Sequence, residues 1–179
     1  MSLLRLILGF DRWLYLREMS QMVDEACAKF RTLPGSPVLY TASIWTDPDA
    51  ACSAVNIDTW ENSQAECAKS NAFNDRHRAR YLAEGNKEMA ALFGVATRND
   101  NPADFAYREL ALCRHRAIIE NWEHRTGGRC WRTLEPLLDR VRYMAAERLR
   151  LLPLHPDAIL ATNSHEDWFH HQIALRSPT

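Results

Sequence analysis

The sequence predicts an α+β fold: a largely antiparallel sheet, built from a central hairpin plus two further strands, packed against several helices. Three observations carry this. Residues 38–58 read VLYTASIWTDPDAACSAVNID, two strand-like runs around Thr46-Asp47-Pro48-Asp49, which is a hairpin signal. Two long segments, 13–33 and 131–152, repeat apolar residues at three- and four-residue steps, which places them on one helical face. Helices and strands also follow one another without strict βαβ alternation.

Taken in order, residues 3–33 read as one long helix or two joined near Gly9. From Trp13 onward, Leu16, Met19, Val23, Ala26, Phe30 and Leu33 share a face, and Leu33-Pro34-Gly35 ends the helix. In the hairpin, strict alternation puts Val38, Tyr40, Ala42 and Ile44 on one side and Leu39, Thr41, Ser43 and Trp45 on the other. One face is expected to be covered and the other to be small and hydroxyl-rich. Asp58, Thr59 and Ser63 can each cap the next helix, Ser63-x-x-Glu66 fitting a capping box. That helical region runs to about Phe93, divided at Gly85, with Met89, Leu92 and Phe93 expected to be buried.

Residues 95–104 are a loop by composition. Residues 105–113 read as a strand, because Phe105 and Tyr107 are good strand formers, with a helix starting at Pro102 and Asp104 as the alternative. Ile118, Ile119 and Trp122 share a helical face that Gly127-Gly128 closes. The clearest helix is 131–152, with Leu134, Leu137, Leu138, Val141, Ala145, Leu149 and Leu152 as its stripe. Pro136 is expected in its first turn and Pro153 after its end. Residues 157–163 read as a last strand, and Ser164-x-x-Asp167 as the start of a short terminal helix. With no repeat and no long linker, one domain spanning 1–179 is expected.

Composition narrows the function classes. Twenty-two basic and 23 acidic residues give a net charge of −1, without the basic excess of a nucleic-acid binder. Arg76, Arg78 and Arg80 are balanced by Asp75 and Glu84, as on a solvated helix face. Five widely spaced cysteines (Cys27, Cys52, Cys67, Cys113 and Cys130) with no C-x-x-C predict reduced, mostly buried thiols. The apolar start MSLLRLILGF is broken by Arg5 and lacks an export cleavage site, so it reads as structural. No run approaches the ~20 apolar residues of a membrane span. A cytoplasmic protein without membrane or nucleic-acid partner is expected.

Few motifs carry chemistry. There is no G-x-S-x-G, P-loop or G-x-G-x-x-G, and no catalytic residue and no cofactor is assigned. Of seven histidines, the densest group is His165-Glu166-Asp167-x-x-His170-His171. His165, Glu166, His170 and His171 are ligand types that suit zinc or iron, which opens the alternative of a metal-dependent hydrolase. The spacing is not H-E-x-x-H, and a solvated turn is the competing reading. Asp47 and Asp49, flanking Pro48, together with Asp58 and Glu61, could do acid–base work or bind a cation. In a turn, however, Asp and Pro are also chosen for backbone reasons.

Tyr40-x-x-Ser43-Ile44-Trp45-Thr46-Asp47, then Val55-Asn56-Ile57-Asp58-Thr59, then a helix opening with Asn62-Ser63, resembles small bacterial proteins of unassigned function. Some of these act as immunity proteins against polymorphic toxins. Ile159-Leu160-Ala161-Thr162-Asn163-Ser164-x-Glu166-Asp167-Trp168-Phe169 adds to the likeness. The resemblance covers scattered strand and turn positions over most of the chain. It implies an α+β cytosolic protein that binds and blocks a cognate toxin, and it transfers no catalytic residue. Six tryptophans suit such a role, since exposed Trp anchors interfaces. Trp45, Asp47, Asp49, Trp60 and Glu61 are the expected partner contacts. A small-molecule-binding or structural domain, and self-association into a homo-oligomer, stay open beside it.

Overall fold

A computed structural model of the chain describes residues 9–176. The reading of residues 3–8 as helix lies outside them. Five strands form one mixed sheet in the order β3–β2–β1–β4–β5. The hairpin is β1 (Leu39–Asp47) and β2 (Cys52–Thr59). Strand β3 (Tyr107–Arg114) pairs antiparallel with β2. Strand β4 (Leu154–Thr162) runs parallel to β1, and β5 (His171–Ala174) pairs antiparallel with β4. The fold is therefore α+β with a mostly antiparallel sheet, and it has one strand more than the sequence suggested.

Helix α1 (Arg12–Arg31) and helix α5 (Trp131–Leu149) cover one face of the sheet. Met19, Val23, Phe30, Leu134, Leu138 and Val141 pack there with Ile44, Val55, Ile57 and Leu160. On the opposite face lie Phe105 and Phe169 with Ala161, and the first turns of helix α2 (Trp60–Ala83). The hairpin has neighbours on both edges and cover on both faces, so both of its faces are buried. Single-sided cover does not hold for this reason.

Alternation fails at Tyr40. Leu39 pairs with Thr59 while Thr41 pairs with Asp58, so Tyr40 is an extra residue in β1. On the other side Leu39 pairs with Leu154 and Thr41 with Ile159. The bulge brings Leu39 into the same core as Ala42 and Ile44. Arg98 holds it in place: its guanidinium donates to Tyr40 O at 3.0 Å, Thr41 Oγ1 at 2.7 Å and Asp157 O at 2.8 Å, and it lies 3.7 Å from the Tyr40 ring centre.

Local chemistry explains the helix ends. Asp11 caps α1, its carboxylate accepting from Trp13 N and Leu14 N, so the helix starts at Arg12 and ends two residues before Leu33. Gly9, at φ +71°, turns the chain against Ile119, whose Cδ1 would lie 3.0 Å from an added Cβ. Thr59, not Ser63, caps α2, because Ser63 is buried and its hydroxyl accepts Asn99 N. Gly85 does divide α2 from the short α3 (Lys87–Ala91), but of the three residues expected to be buried Met89 and Phe93 are half-buried and Leu92 is exposed, and the buried residue of α3 is Ala90.

Pro102–Asp104 form one 3₁₀ turn before β3, so both readings of that stretch hold in part. Ile118 bridges to Phe10, and helix α4 (Trp122–Thr126) begins only after it. Pro136 sits in the second turn of α5 rather than the first. The terminal helix is absent: Ser164 Oγ accepts from Glu166 N and Asp167 N, but Asp167 Oδ1 then takes Phe169 N and the chain turns into β5. No helix among the described residues is long and apolar enough to cross a membrane.

Candidate functional site

Asn56, in the middle of β2, organises a cleft on the face of the sheet away from α1. Val55 pairs with Ala111 and Ile57 with Tyr107, which leaves Asn56 opposite three residues of β3, Arg108–Leu110. Glu109 takes up the excess in the left-handed region at φ +47°, uncommon for a non-glycine residue. Its N–H donates to Asn56 Oδ1 at 2.8 Å, replacing a ladder bond. The bulge brings Arg108 and Glu109 together on the wall of a cleft of about 640 Å³, with Asn56, Trp45 and Trp168 also lining it. Trp45 and Trp168 meet edge to face, 5.8 Å between ring centres, and Trp168 is 55% exposed. Asn56 is 2% exposed, and its Nδ2 has no hydrogen-bond acceptor.

Trp168 also borders a second cleft of about 340 Å³, lined by Asp47, Asp49, Glu123, Glu166 and Asp167 among others. Here the hairpin carboxylates have backbone work. Asp47 Oδ1 accepts Asp49 N and Ala50 N, both at 2.8 Å, which closes the turn. Asp49 Oδ1 accepts His124 N, and its carbonyl accepts Asn121 N, tying the turn to α4. Asn163 clamps the adjoining strand, accepting Thr46 N at 3.0 Å and donating to Thr46 O at 2.9 Å.

The remaining expected contacts separate. Trp45 pairs with Ala54, six residues before Trp60, so the two indoles lie at opposite ends of the hairpin, roughly 20 Å apart along the strand. Trp60 stacks on His155 at 4.9 Å and meets Tyr40 edge to face, and Glu61 is exposed beside it. The C-terminal histidines do not converge either. His165 Nε2 pairs with Glu123 at 3.1 Å, while His170 and His171 lie ring to ring. Among the described residues no three of His165, Glu166, Asp167, His170 and His171 bring ligand atoms within 4.8 Å of one another; the group that does is Glu18, Cys113 and His115.

That group belongs to a buried relay on the helix-covered face. Tyr15 OH lies 2.8 Å from Thr46 Oγ1, Thr46 Oγ1 2.6 Å from Ser53 Oγ, and Ser53 Oγ 2.7 Å from His115 Nε2. His115 Nδ1 lies 3.0 Å from Glu18 Oε2. Burial pushes the Glu18 carboxyl up, but hydrogen bonds from His115, Arg116 N and Ala117 N outweigh it and hold it below the usual carboxylate range. With Glu18 ionised, His115 Nδ1 carries a proton, and in the neutral imidazole Nε2 then accepts from Ser53, Ser53 from Thr46, and Thr46 from Tyr15. Every member then has a partner.

The Ser53–His115–Glu18 part matches a hydrolase triad in its distances. Acyl transfer also needs a carbonyl within about 3 Å of the nucleophile. Ser53 is fully buried beneath Tyr15 and Thr46, and neither Ser53 nor His115 lines the two clefts. Burial, followed by the charge of Glu18, pushes the Cys113 thiol up to about 11, so beside His115 it stands as a protonated thiol. The relay is a satisfied buried network that joins α1, the hairpin and β3.

No family model matches the chain, and searches of curated proteins and of solved structures found no match. The residues that reading the sequence missed are Asn56, Arg108, Glu109 and Trp168. Trp168 entered as one of six tryptophans and Asn56 and Trp168 as positions of the resemblance, without a site role, and nothing local marks Arg108 or Glu109.

Proposed function

We propose that this protein is a non-catalytic protein-binding module whose docking surface is the Trp45–Trp168 cleft and the acidic cleft beside it. The observation that carries the reading is the pairing of an exposed Trp168 with Trp45 over a cleft next to five carboxylates. Aromatic anchors in a recess with a charged rim are the chemistry of interface hot spots. The resemblance noted above narrows the partner to a cognate bacterial toxin, and the acidity of the rim favours a toxin with a basic docking face. Asp47 and Asp49 contribute by shaping the turn and by their charge, and Trp60 and Glu61 form a separate surface.

The test is titration calorimetry of the purified protein against the product of the neighbouring gene, with Trp168→Ala and Trp60→Ala as variants. Trp168→Ala is expected to weaken binding about 30-fold or more, the size of a hot spot, while Trp60→Ala changes it little. Trp168→Ala should leave the urea midpoint nearly unchanged, because the side chain is largely exposed. Equal effects of the two variants, or tight binding by Trp168→Ala, would remove this surface from the proposal.

A further inference from the structure

Asn56 poses a specific chemical question. A side-chain amide buried to 2% exposure normally satisfies both ends. Its Oδ1 is occupied by Glu109 N, which fixes the amide in the orientation that leaves Nδ2 as the unpaired end. Removing a buried donor from water without an acceptor costs about 1–3 kcal/mol. Ser43, the cross-strand neighbour of Asn56, also has a buried hydroxyl without a partner. The strained Glu109 backbone adds a second cost at the same place. Both lie at the floor and wall of a cleft whose volume falls within the range of ligand pockets.

The lining defines what completes the site. Asn56 lines the cleft and its Nδ2 is a buried donor without an acceptor, so a ligand that completes the site brings an acceptor oxygen. The indoles of Trp45 and Trp168 form an apolar wall that accommodates an aliphatic stem and offers π-density to a cation. The charge around them is mainly negative: Glu109 in the cleft, then Asp47, Asp49, Glu123, Glu166 and Asp167 across Trp168, against Arg108 alone among arginines and lysines lining the two clefts. A free carboxylate is disfavoured by that surround, and a neutral carbonyl is not.

We infer that the cleft is a peptide subsite that takes an extended partner segment through a lysine or arginine residue. A backbone carbonyl accepts from Asn56 Nδ2, the side-chain stem lies along the two indoles, and the cationic head faces Glu109 and the acidic rim. This rests on the protein-binding reading and names the chemistry of the segment that enters.

The experiment needs no identified partner. The full chain, labelled with 15N, is titrated with N-acetyl-lysine methylamide, with N-acetyl-norleucine methylamide lacking the charge, and with butylamine lacking the carbonyl. The expected result is a saturable downfield shift of the Asn56 Nδ2 protons with both amides, together with shifts of the Trp45 and Trp168 indole N–H signals. The lysine probe binds most tightly. Glu109→Gln removes the preference for lysine over norleucine. Trp168→Ala weakens both amides about tenfold, equivalent to about 1.4 kcal/mol. Trp168 is exposed, so this variant keeps the fold, and Asn56→Ala is read only after its circular dichroism matches the parent.

An Asn56 amide signal that does not respond to either probe, or equal binding of butylamine and the lysine probe, overturns the inference. The two readings fail separately. Probe binding without any protein partner sinks the proposed function and leaves the amide subsite, whereas a partner that binds without moving the Asn56 signal does the reverse.

Discussion

The buried relay makes a strong prediction through Glu18→Gln. The carboxamide keeps the size of the carboxylate, and with its oxygen in the Oε1 place it still accepts Arg116 N. Its NH₂ now faces His115 Nδ1, which must become an acceptor. The imidazole proton moves to Nε2 and donates to Ser53, and each hydroxyl in the chain reverses. Tyr15 then accepts from Thr46, and its own proton loses its acceptor at a fully buried site. One stranded buried donor costs about 1–3 kcal/mol, and exchanging charged for neutral hydrogen bonds adds about 1 kcal/mol. The total is about 2–4 kcal/mol, or about 4–16 °C in Tm for a chain of this size.

Two measurements separate this account from general core damage. In a Tyr15→Phe background there is no proton to strand, so Glu18→Gln should cost about 1–2 kcal/mol less than in the parent, a coupling readable in a double-mutant cycle. The pH dependence has a defined sign. A folded-state pKa held below the unfolded value of about 4.3 gives stability that is fully present above that value and lost as pH falls through the folded one. The groups facing Glu18 are His115, Cys113 and Arg116, whose Nε lies 3.6 Å from Oε1. The Tm gap between parent and Glu18→Gln is therefore wide at pH 7 and narrows in acid. Strict additivity with Tyr15→Phe, together with a gap that does not change with pH, would refute the reversed-relay argument.

Two further outcomes follow from the same geometry. Asn163→Ala leaves Thr46 N and Thr46 O unpaired in a buried position, which should cost about 2–4 kcal/mol and lower the urea midpoint without changing m; a midpoint that does not move would mean that the clamp is replaceable. Burial pushes up all five thiols, so a disulfide reagent near pH 8 should label them slowly in the native protein and all five after unfolding; native labelling of Cys113 at the rate of a free thiol would contradict its environment.

What could be read in the sequence was what local chemistry decides. The hairpin was legible because Asp47 and Pro48 build their turn from adjacent backbone groups. The stripe of α5 was legible because seven residues repeat one helical period, six of them inside the observed helix. Elements decided by distant partners were not. Tyr40 bulges because β4 carries extra residues between Leu154 and Ile159, and Arg98, 58 residues away, fills the result. The short β5 has no pattern of its own and exists because β4 offers an open edge. Ser164 stands between the two cases: its hydroxyl does bind the amides of Glu166 and Asp167 as a helix start would, yet the Asp167 carboxylate then takes Phe169 N and diverts the chain.

The cleft was hidden for a related reason, and its position explains why the relay matters to it. Asn56 reads as an ordinary polar residue in a strand, and a left-handed Glu109 has no sequence signature. Trp45 was singled out, but its partner lies 123 positions later, and only the parallel β1–β4 pairing brings Trp168 to it. Thr46, the next residue, is held on both sides. Its hydroxyl is fixed by Tyr15 and Ser53 on the helix-covered face, and its backbone is fixed by Asn163, the residue before the Ser164 turn. Trp45 and the segment leading to Trp168 are thus anchored through one buried threonine. Ordering a side chain on binding costs about 0.5–1.5 kcal/mol, and a wall already fixed in the free protein avoids part of that cost. In the proposed docking role, the relay contributes by positioning Trp45.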